Sequence, residues 1–331
     1  MPSLPTELHS ELTKTPAPPP AIIATGLRKS FDGKVVLDGL DLTIARGTVF
    51  ALLGPNGAGK TTMVNIFATL LEADAGQVQI AGHDLTRDPQ GVRSAIGVTG
   101  QFSAVDDLLT GEENLQLIAD LRHLGREAGR RRVNELLEHF ELTDAARRPV
   151  STYSGGMKRR LDLAMTLLGD PQLIFLDEPT TGLDPRSRRG MWDVIGELVS
   201  AGVTIFLTTQ YLDEADRLAD RVAVLDHGRI VAEGSPDELK RRVPGGHVSL
   251  HFPDPQTSQS AALVLGAATR GAESATLDVP GDGSPASLRA LLSRLGASGI
   301  EPDRLSIHDA DLDDVFLALT GHPTDEREPQ P

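Results

Sequence analysis

The chain has 331 residues, enough for one large or two ordinary domains, and carries 47 acidic against 32 basic residues for a formal net charge of -15. That balance argues against nucleic acid as the main partner, because such binding rests on counterion release from a basic surface. With no cysteine, disulfides, thiol nucleophiles and Cys-ligated metal sites are excluded; the N-terminus has no basic region followed by an apolar core that would predict a signal peptide, and no run of about eighteen apolar residues predicts a membrane span.

Residues 1–20, ending in Thr15-Pro16-Ala17-Pro18-Pro19-Pro20, read as a disordered polar tail. Short β-rich runs at 21–24, 35–37 and 40–44 predict an antiparallel sheet. Phe31, beside the Asp32-Gly33 turn, either stacks on an adenine ring or packs as an ordinary turn aromatic. The apolar run 49–53 then leads into Gly54-Pro55-Asn56-Gly57-Ala58-Gly59-Lys60-Thr61, a G-x-x-x-x-G-K-T pattern. This spacing predicts a buried strand feeding a phosphate-binding loop, since the glycines let successive N–H groups point inward and the following helix adds its positive end. Lys60 is expected to hold the β- and γ-phosphates and Thr61 a Mg²⁺ ion.

Strands are expected at 77–80 and 96–99, the second ending at Gln101, whose amide can bond both a metal-bound water and an attacking water. From about 104 to 168 the pattern is helical, with a capping box at Thr110 and Glu113. This insert closes on Ser154-Gly155-Gly156, which offers either an anion site or a plain helix cap. The apolar strand 173–176 delivers Asp177 and Glu178 at the strand end where an open α/β sheet binds ligands. Asp177 is expected to hold Mg²⁺ through water, and Glu178 to accept a proton from an attacking water. The strand 203–207 ends at Thr208-Thr209-Gln210, where Gln210 either senses a γ-phosphate through its neutral amide or caps the next helix.

Asp226-His227-Gly228 predicts a hairpin, and Ser235-Pro236-Asp237-Glu238 a helix start. The nucleotide-binding unit, 21–243, is expected to end at a Pro244-Gly245-Gly246 linker. After it comes a compact α+β accessory domain at 246–321, with strands near 248–252 and 305–307, a stripe of Leu288, Leu291, Leu292 and Leu295, and a last helix at 312–319. Residues 322–331 read as a second tail.

The order of phosphate-binding loop, Gln101, Ser-Gly-Gly, apolar strand with Asp-Glu, and Gly182-Leu183-Asp184-Pro185 resembles the ATP-binding subunit of ABC transporters over about 21–243. The resemblance implies a P-loop NTPase core with an antiparallel β subdomain and a helical subdomain. It implies that Phe31 stacks on adenine, that the loop Gly54 to Thr61 with Thr62 binds the phosphates and Mg²⁺, and that Gln101 lines the water and the metal. It also implies a head-to-tail homodimer with ATP at the interface, Ser154, Gly155 and Gly156 binding the γ-phosphate held by the second copy, and Asp184 communicating across. The stretches at 208–216 and 312–321 are similar to the daunorubicin-resistance, drug-exporting subfamily. That implies an ATPase working from the cytoplasmic face of the cell membrane with a separate integral membrane permease, usually in two copies, pressing into a groove near Gln101. Tyr153 and Met157 depart from the usual Leu and Gln of the signature, and Gln210 stands where most such ATPases place a histidine. Lipid or polysaccharide export is the alternative, and a non-transport ABC ATPase acting on nucleic acid or ribosomes a more distant one.

Overall fold

The computed structural model describes residues 19–100, 104–242, 246–267, 274–281, 284–308 and 311–320. Residues 1–18 of the tail expected at 1–20, the tail expected at 322–331, Gln101, and Pro244-Gly245 of the expected linker lie outside the described residues.

β1 (Ile22–Phe31) and β2 (Lys34–Ile44) form one hairpin about Asp32-Gly33, whose φ values of 48° and 82° suit a tight two-residue connection. The short runs read from the sequence are parts of these two long strands, joined through shifts of register. β3 (Val49–Leu53) leads through the glycine-rich loop to α1 (Lys60–Phe67). β4 (Ala75–Ile80) and β5 (His83–Asp84) complete a four-stranded antiparallel sheet in the order β2-β1-β4-β5. α2 (Pro89–Ala95), too short to show a helical period in the sequence, precedes β6 (Ile96–Thr99).

The helical layer consists of α3 (Gly111–Leu121), α4 (Arg126–His139) and α5 (Gly155–Thr166). α3 starts on the expected capping box, with the Glu113 N–H donating to Thr110 Oγ1 at 3.2 Å and the Thr110 N–H donating to the Glu113 carboxylate at 2.8 Å. α5 begins three residues before the expected Lys158, because Ser154 caps it.

β7 (Leu173–Asp177), α6 (Pro185–Ser200), β8 (Thr204–Thr209), α7 (Leu212–Leu218), β9 (Arg221–Asp226), β10 (Arg229–Gly234) and α8 (Pro236–Lys240) complete the large unit. Its central sheet runs β10-β9-β3-β8-β7-β6, parallel except for β10. Strand residues alternate between two cores. Phe50, Leu52, Phe175 and Phe206 face Met63 and Phe67 of α1, while Ala51, Leu53, Ile174, Leu176, Ile205 and Leu207 face the helical layer. Burial on both faces is why these strands read as uninterrupted apolar runs. The four phenylalanine rings pack at centroid distances between 5.5 and 6.0 Å, Phe50 stacked on Phe206 and the other pairs tilted or edge-to-face, within the favourable range for aromatic pairs.

The small unit holds β11 (His247–His251), α9 (Pro255–Leu265), β12 (Thr276–Pro280), α10 (Pro285–Ala297) and β13 (Arg304–His308), with an antiparallel sheet ordered β12-β11-β13. Val248, Leu250, Ala261, Leu277 and Leu295 form its own core. The final helix, α11 (Leu312–Thr320), packs elsewhere: Leu312, Val315 and Phe316 join the core of the large unit with Leu212 and Ala215 of α7 and Leu239 of α8. Since α9 and α10 supply the helical side of the small core, the apolar stripe of α11 is buried on α7 and α8 instead.

Candidate functional site

Because β3, β7 and β8 run parallel and adjacent, their C-terminal ends bring the glycine-rich loop, Asp177-Glu178 and Thr208-Thr209-Gln210 to one edge of the sheet. There a cavity of about 170 Å³ is lined by Val36, Pro55, Asn56, Gly57, Gly59, Lys60, Thr61, Thr62 and Glu178. Gly59 holds the N-cap of α1 at φ 112°, and a Cβ there would lie 2.7 Å from Leu37 Cδ2, so only glycine fits this turn. Lys60, 5% exposed, donates from Nζ to Gly54 O at 2.6 Å and to Pro55 O at 3.3 Å, within its own loop. Burial lowers its pKa, opposed by the nearby carboxylates of Glu178 and Asp177.

Both acids are aimed by one residue that sequence reasoning missed. Thr208 Oγ1 donates to the buried Asp177 carboxylate at 2.5 Å, and Thr208 O and Oγ1 accept from the Glu178 N–H at 3.1 and 3.2 Å. Glu178 adopts φ 49°, a left-handed backbone that costs a residue with a Cβ about 1–2 kcal/mol, and these bonds hold it there. Its carboxylate accepts from Thr181 Oγ1 at 3.3 Å. The signal was present in the sequence as a hydroxyl at the end of a strand, but pairing with β7 is a three-dimensional fact.

The remaining candidates sit outside that cavity. Phe31, 43% exposed at the end of β1, has Lys29 Nζ 5.4 Å from its ring centroid. Ser154 is exposed and its Oγ accepts from the Met157 N–H at 3.3 Å, so the cap is real. Tyr153, buried behind it, donates to Ala145 O at 2.7 Å and anchors the turn, and burial raises its pKa. Gly156 faces Ser187 so closely that a Cβ would lie 2.7 Å from Ser187 Oγ. Ser187 Oγ in turn donates to Asp184 at 2.6 Å, and with the backbone N–H groups of Ser187 and Arg186 it holds the Asp184 pKa down. Ser154, Gly155 and Asp184 therefore share one exposed surface apart from the Lys60 cavity, with Gly156 buried behind it against Ser187.

Gln210 is half-buried between β8 and α7. α7 is capped at Tyr211 with no side-chain bond, so no residue caps it in the manner considered for Gln210. The turn is instead shaped by Thr209 Oγ1, which accepts from the Tyr211 N–H at 2.9 Å, and by Arg188, whose guanidinium lies 4.7 Å from the Tyr211 ring centroid. Beneath it Glu214, fully buried, accepts from Trp192 Nε1–H at 3.1 Å, and burial raises its pKa.

A second cavity, a groove of about 500 Å³, lies where α3 and α5 meet β6, with Arg93, Val98, Ala104, Ile118, Leu121 and Asp162 among its lining. Burial pushes the Asp162 carboxyl up to about 6 against the opposing pull of Arg159. Among the described residues no helix is long and apolar enough to cross a membrane.

A family model described as ABC transporter matches residues 37–181. The chain is 47% identical over 319 residues, spanning 94% of it and 95% of the relative, to the daunorubicin/doxorubicin resistance ATP-binding protein of Streptomyces peucetius. It is 45% identical over 314 residues (92% and 95%) to the doxorubicin resistance ATP-binding protein of Mycobacterium tuberculosis. To the Nod factor export ATP-binding protein I of Ralstonia nicotianae it is 38% identical over 304 residues (91% and 94%). Among solved structures, an ATP-binding subunit of an ABC transporter matches 67% of this chain and 92% of its own, at 30% identity and a TM-score of 0.61. A dimeric post-hydrolysis state of an ATP-binding cassette bound to ADP and Pi matches 65% and 98%, at 26% identity and a TM-score of 0.59.

Proposed function

The chain belongs to the ATP-binding subunits of ABC transporters, ATPases that drive transport, and on that premise we propose that it powers export of a drug-like small molecule, of the anthracycline type, through a separate membrane permease. The observation that carries the reading is the splitting of the site into two surfaces of one chain, a phosphate cavity around Lys60 and an exposed Ser154–Asp184 face. A head-to-tail pair of copies brings each cavity against the other copy's exposed face. Gly54, Pro55, Asn56, Gly57, Ala58 and Gly59 wrap the phosphates with backbone N–H groups, Lys60 neutralises the β- and γ-phosphates, Thr62 adds a hydroxyl, and Phe31 stacks on adenine. Ser154, Gly155 and Gly156 of the second copy close on the γ-phosphate, and Asp184 senses the closure.

Thr61 and Asp177 offer hard oxygen donors beside a loop shaped for phosphate, which fits Mg²⁺, an ion that completes its shell with phosphate and water. Bound with ATP at these residues, the ion would supply neutralisation of phosphate charge. Gln101, outside the described residues, is assigned to the same ion and to the attacking water. Glu178 takes a proton from that water as its oxygen bonds the γ-phosphorus and the bond to the β-phosphate oxygen breaks, giving ADP and phosphate. Gln210 donates to the γ-phosphate as a neutral amide.

Two copies of a permease would seat in the α3–α5 groove, which puts the chain on the cytoplasmic face of the cell membrane, and the small unit from residue 246 steadies that assembly. The likeness to drug-resistance relatives supports the cargo class. The 38% identity to a Nod factor export protein keeps other small-molecule cargo as the second reading. Glu178→Gln tests the assignment: it should bind ATP, lose hydrolysis by about 10²–10⁴-fold, and accumulate as a dimer on a sizing column with ATP. Turnover near the parent rate would overturn it.

A further inference from the structure

α5 carries a charged pair that lies outside the phosphate cavity yet grips the backbone from which the catalytic loops hang. Arg159 and Asp162 sit one turn apart among the buried Leu161, Leu163 and Ala164, with side chains 12% and 4% exposed. The Arg159 guanidinium donates to four acceptors: Gly100 O at 2.8 Å, Pro179 O at 3.0 Å, Asp177 O at 3.2 Å and Asp162 Oδ2 at 3.4 Å. Asp177 and Pro179 bracket Glu178, and Gly100 immediately precedes Gln101. The other carboxylate oxygen of Asp162 accepts from the Ala104 N–H at 3.3 Å, and Asp162 lines the groove with Ile118, Leu121 and Met165 and is the one acid there, beside Arg93 and Arg122. A single ion pair thus has one end in the groove and the other on the carbonyls either side of the general base.

We propose that Arg159 and Asp162 are positioning residues through which occupancy of the groove sets the placement of Glu178, so that a permease segment presenting a basic or hydrogen-bond-donating group there retunes hydrolysis. The inference rests on the groove being the permease face. The chemistry follows from the distances. The carboxylate contact is the longest of the four, so a donor entering the groove competes with Arg159 for Asp162 before anything else is disturbed. The guanidinium keeps its charge at all working pH values, and with its counter-charge shared it draws more strongly on the three carbonyls. Only a planar fork with several donors spans those carbonyls together, whereas an ammonium is a point charge that satisfies them in turn.

The absence of cysteine from the chain makes the test direct. Leu121, 65% exposed at the lip of the groove, is changed in the full chain to give Leu121→Cys, and the new thiol is modified with 2-aminoethyl methanethiosulfonate, which places an ammonium there. With the pair intact, modification should change the steady-state kcat for ATP by roughly two- to thirtyfold, the range of couplings carried through packed networks, with KM unmoved. The same modification of the Leu121→Cys, Asp162→Asn double variant should leave kcat where it was. Arg159→Lys, without any modification, should lower kcat by roughly tenfold or more while retaining affinity for a fluorescent ATP analogue, as expected for misplacement of a general base. An equal response to modification in the two backgrounds, or Arg159→Lys turning over at the parent kcat, would overturn the inference while leaving the ATPase assignment intact. Absence of ATP hydrolysis from the parent chain would instead overturn that assignment and this inference with it. Should Arg159→Lys fail to bind the analogue, the comparison of the two Leu121→Cys proteins decides alone, because Asp162→Asn keeps the shape of the side chain.

Discussion

The two surfaces proposed to form the nucleotide site are built on opposite principles. Around Lys60 the main charged groups are already satisfied by their own chain: the buried ammonium on loop carbonyls, the buried Asp177 on Thr208, and the half-buried Glu178 held in a strained backbone by two acceptors. Around Ser154 and Asp184 the two capping residues are exposed while Tyr153 and Gly156 lie buried behind them, and the Ser154 and Asp184 side chains cap the helices they begin. On the proposed reading the first surface is preorganised for nucleotide, while the second is a pair of caps that would gain a ligand only when another copy brings one. A site divided in this way lets binding and hydrolysis respond to different substitutions.

The sharpest way to break that contrast is Lys60→Ala. Removing a charged donor to phosphate should weaken equilibrium binding of a fluorescent ATP analogue by about 10- to 100-fold. Unchanged affinity would mean that the cavity does not hold the phosphates. Gly156→Ala probes the opposite surface, since the added Cβ lands 2.7 Å from Ser187 Oγ and pushes that hydroxyl off Asp184. Affinity of the dilute subunit for the analogue should hold, and steady-state hydrolysis should fall by about tenfold, as for a misplaced reacting surface. The reverse pattern would show that the two surfaces are not separable. The smallest effect belongs to Gln210. A charge-assisted bond is about twice as strong as a neutral one, so Gln210→His should keep or raise the rate and add an ionisation at about pH 6 to 7, below which the imidazole is charged. Gln210→Ala should fall a few-fold below the parent, and equal rates for glutamine and alanine in an ATPase assay across pH would remove Gln210 from the γ-phosphate.

The preorganised half was legible in the sequence because phosphate dictates glycine positions and because strands buried on both faces leave unbroken apolar runs such as Val49-Phe50-Ala51-Leu52-Leu53. The caps at Thr110, Ser154 and Ser235 were legible for the same local reason. What escaped was anything decided by which element meets which. Thr208 acquires its role only from lying opposite Asp177. Arg159 and Asp162 are a base and an acid on a helix, a pattern that normally marks a solvated face, and only the neighbouring Leu161, Leu163 and Ala164 hinted at burial. The stripe of Leu312, Val315 and Phe316 announced that α11 buries one side without naming the surface it would find.

That last contact bears on how the chain is made. Phe316 belongs to the same core as Ala51 and Leu53, so the hydrophobic interior of the large unit is assembled from its first parallel strand and from the last helix described. During synthesis, which releases the N-terminal part first, α7 and α8 must wait with their apolar sides uncovered while the whole small unit is translated and folds on its own core. Contacts so distant along the chain form slowly, and the waiting surface is open to premature association. The nascent protein should therefore depend on chaperone protection until Phe316 has emerged, and ribosome-bound chains stalled before and after that point should differ in protease resistance at α7 and α8.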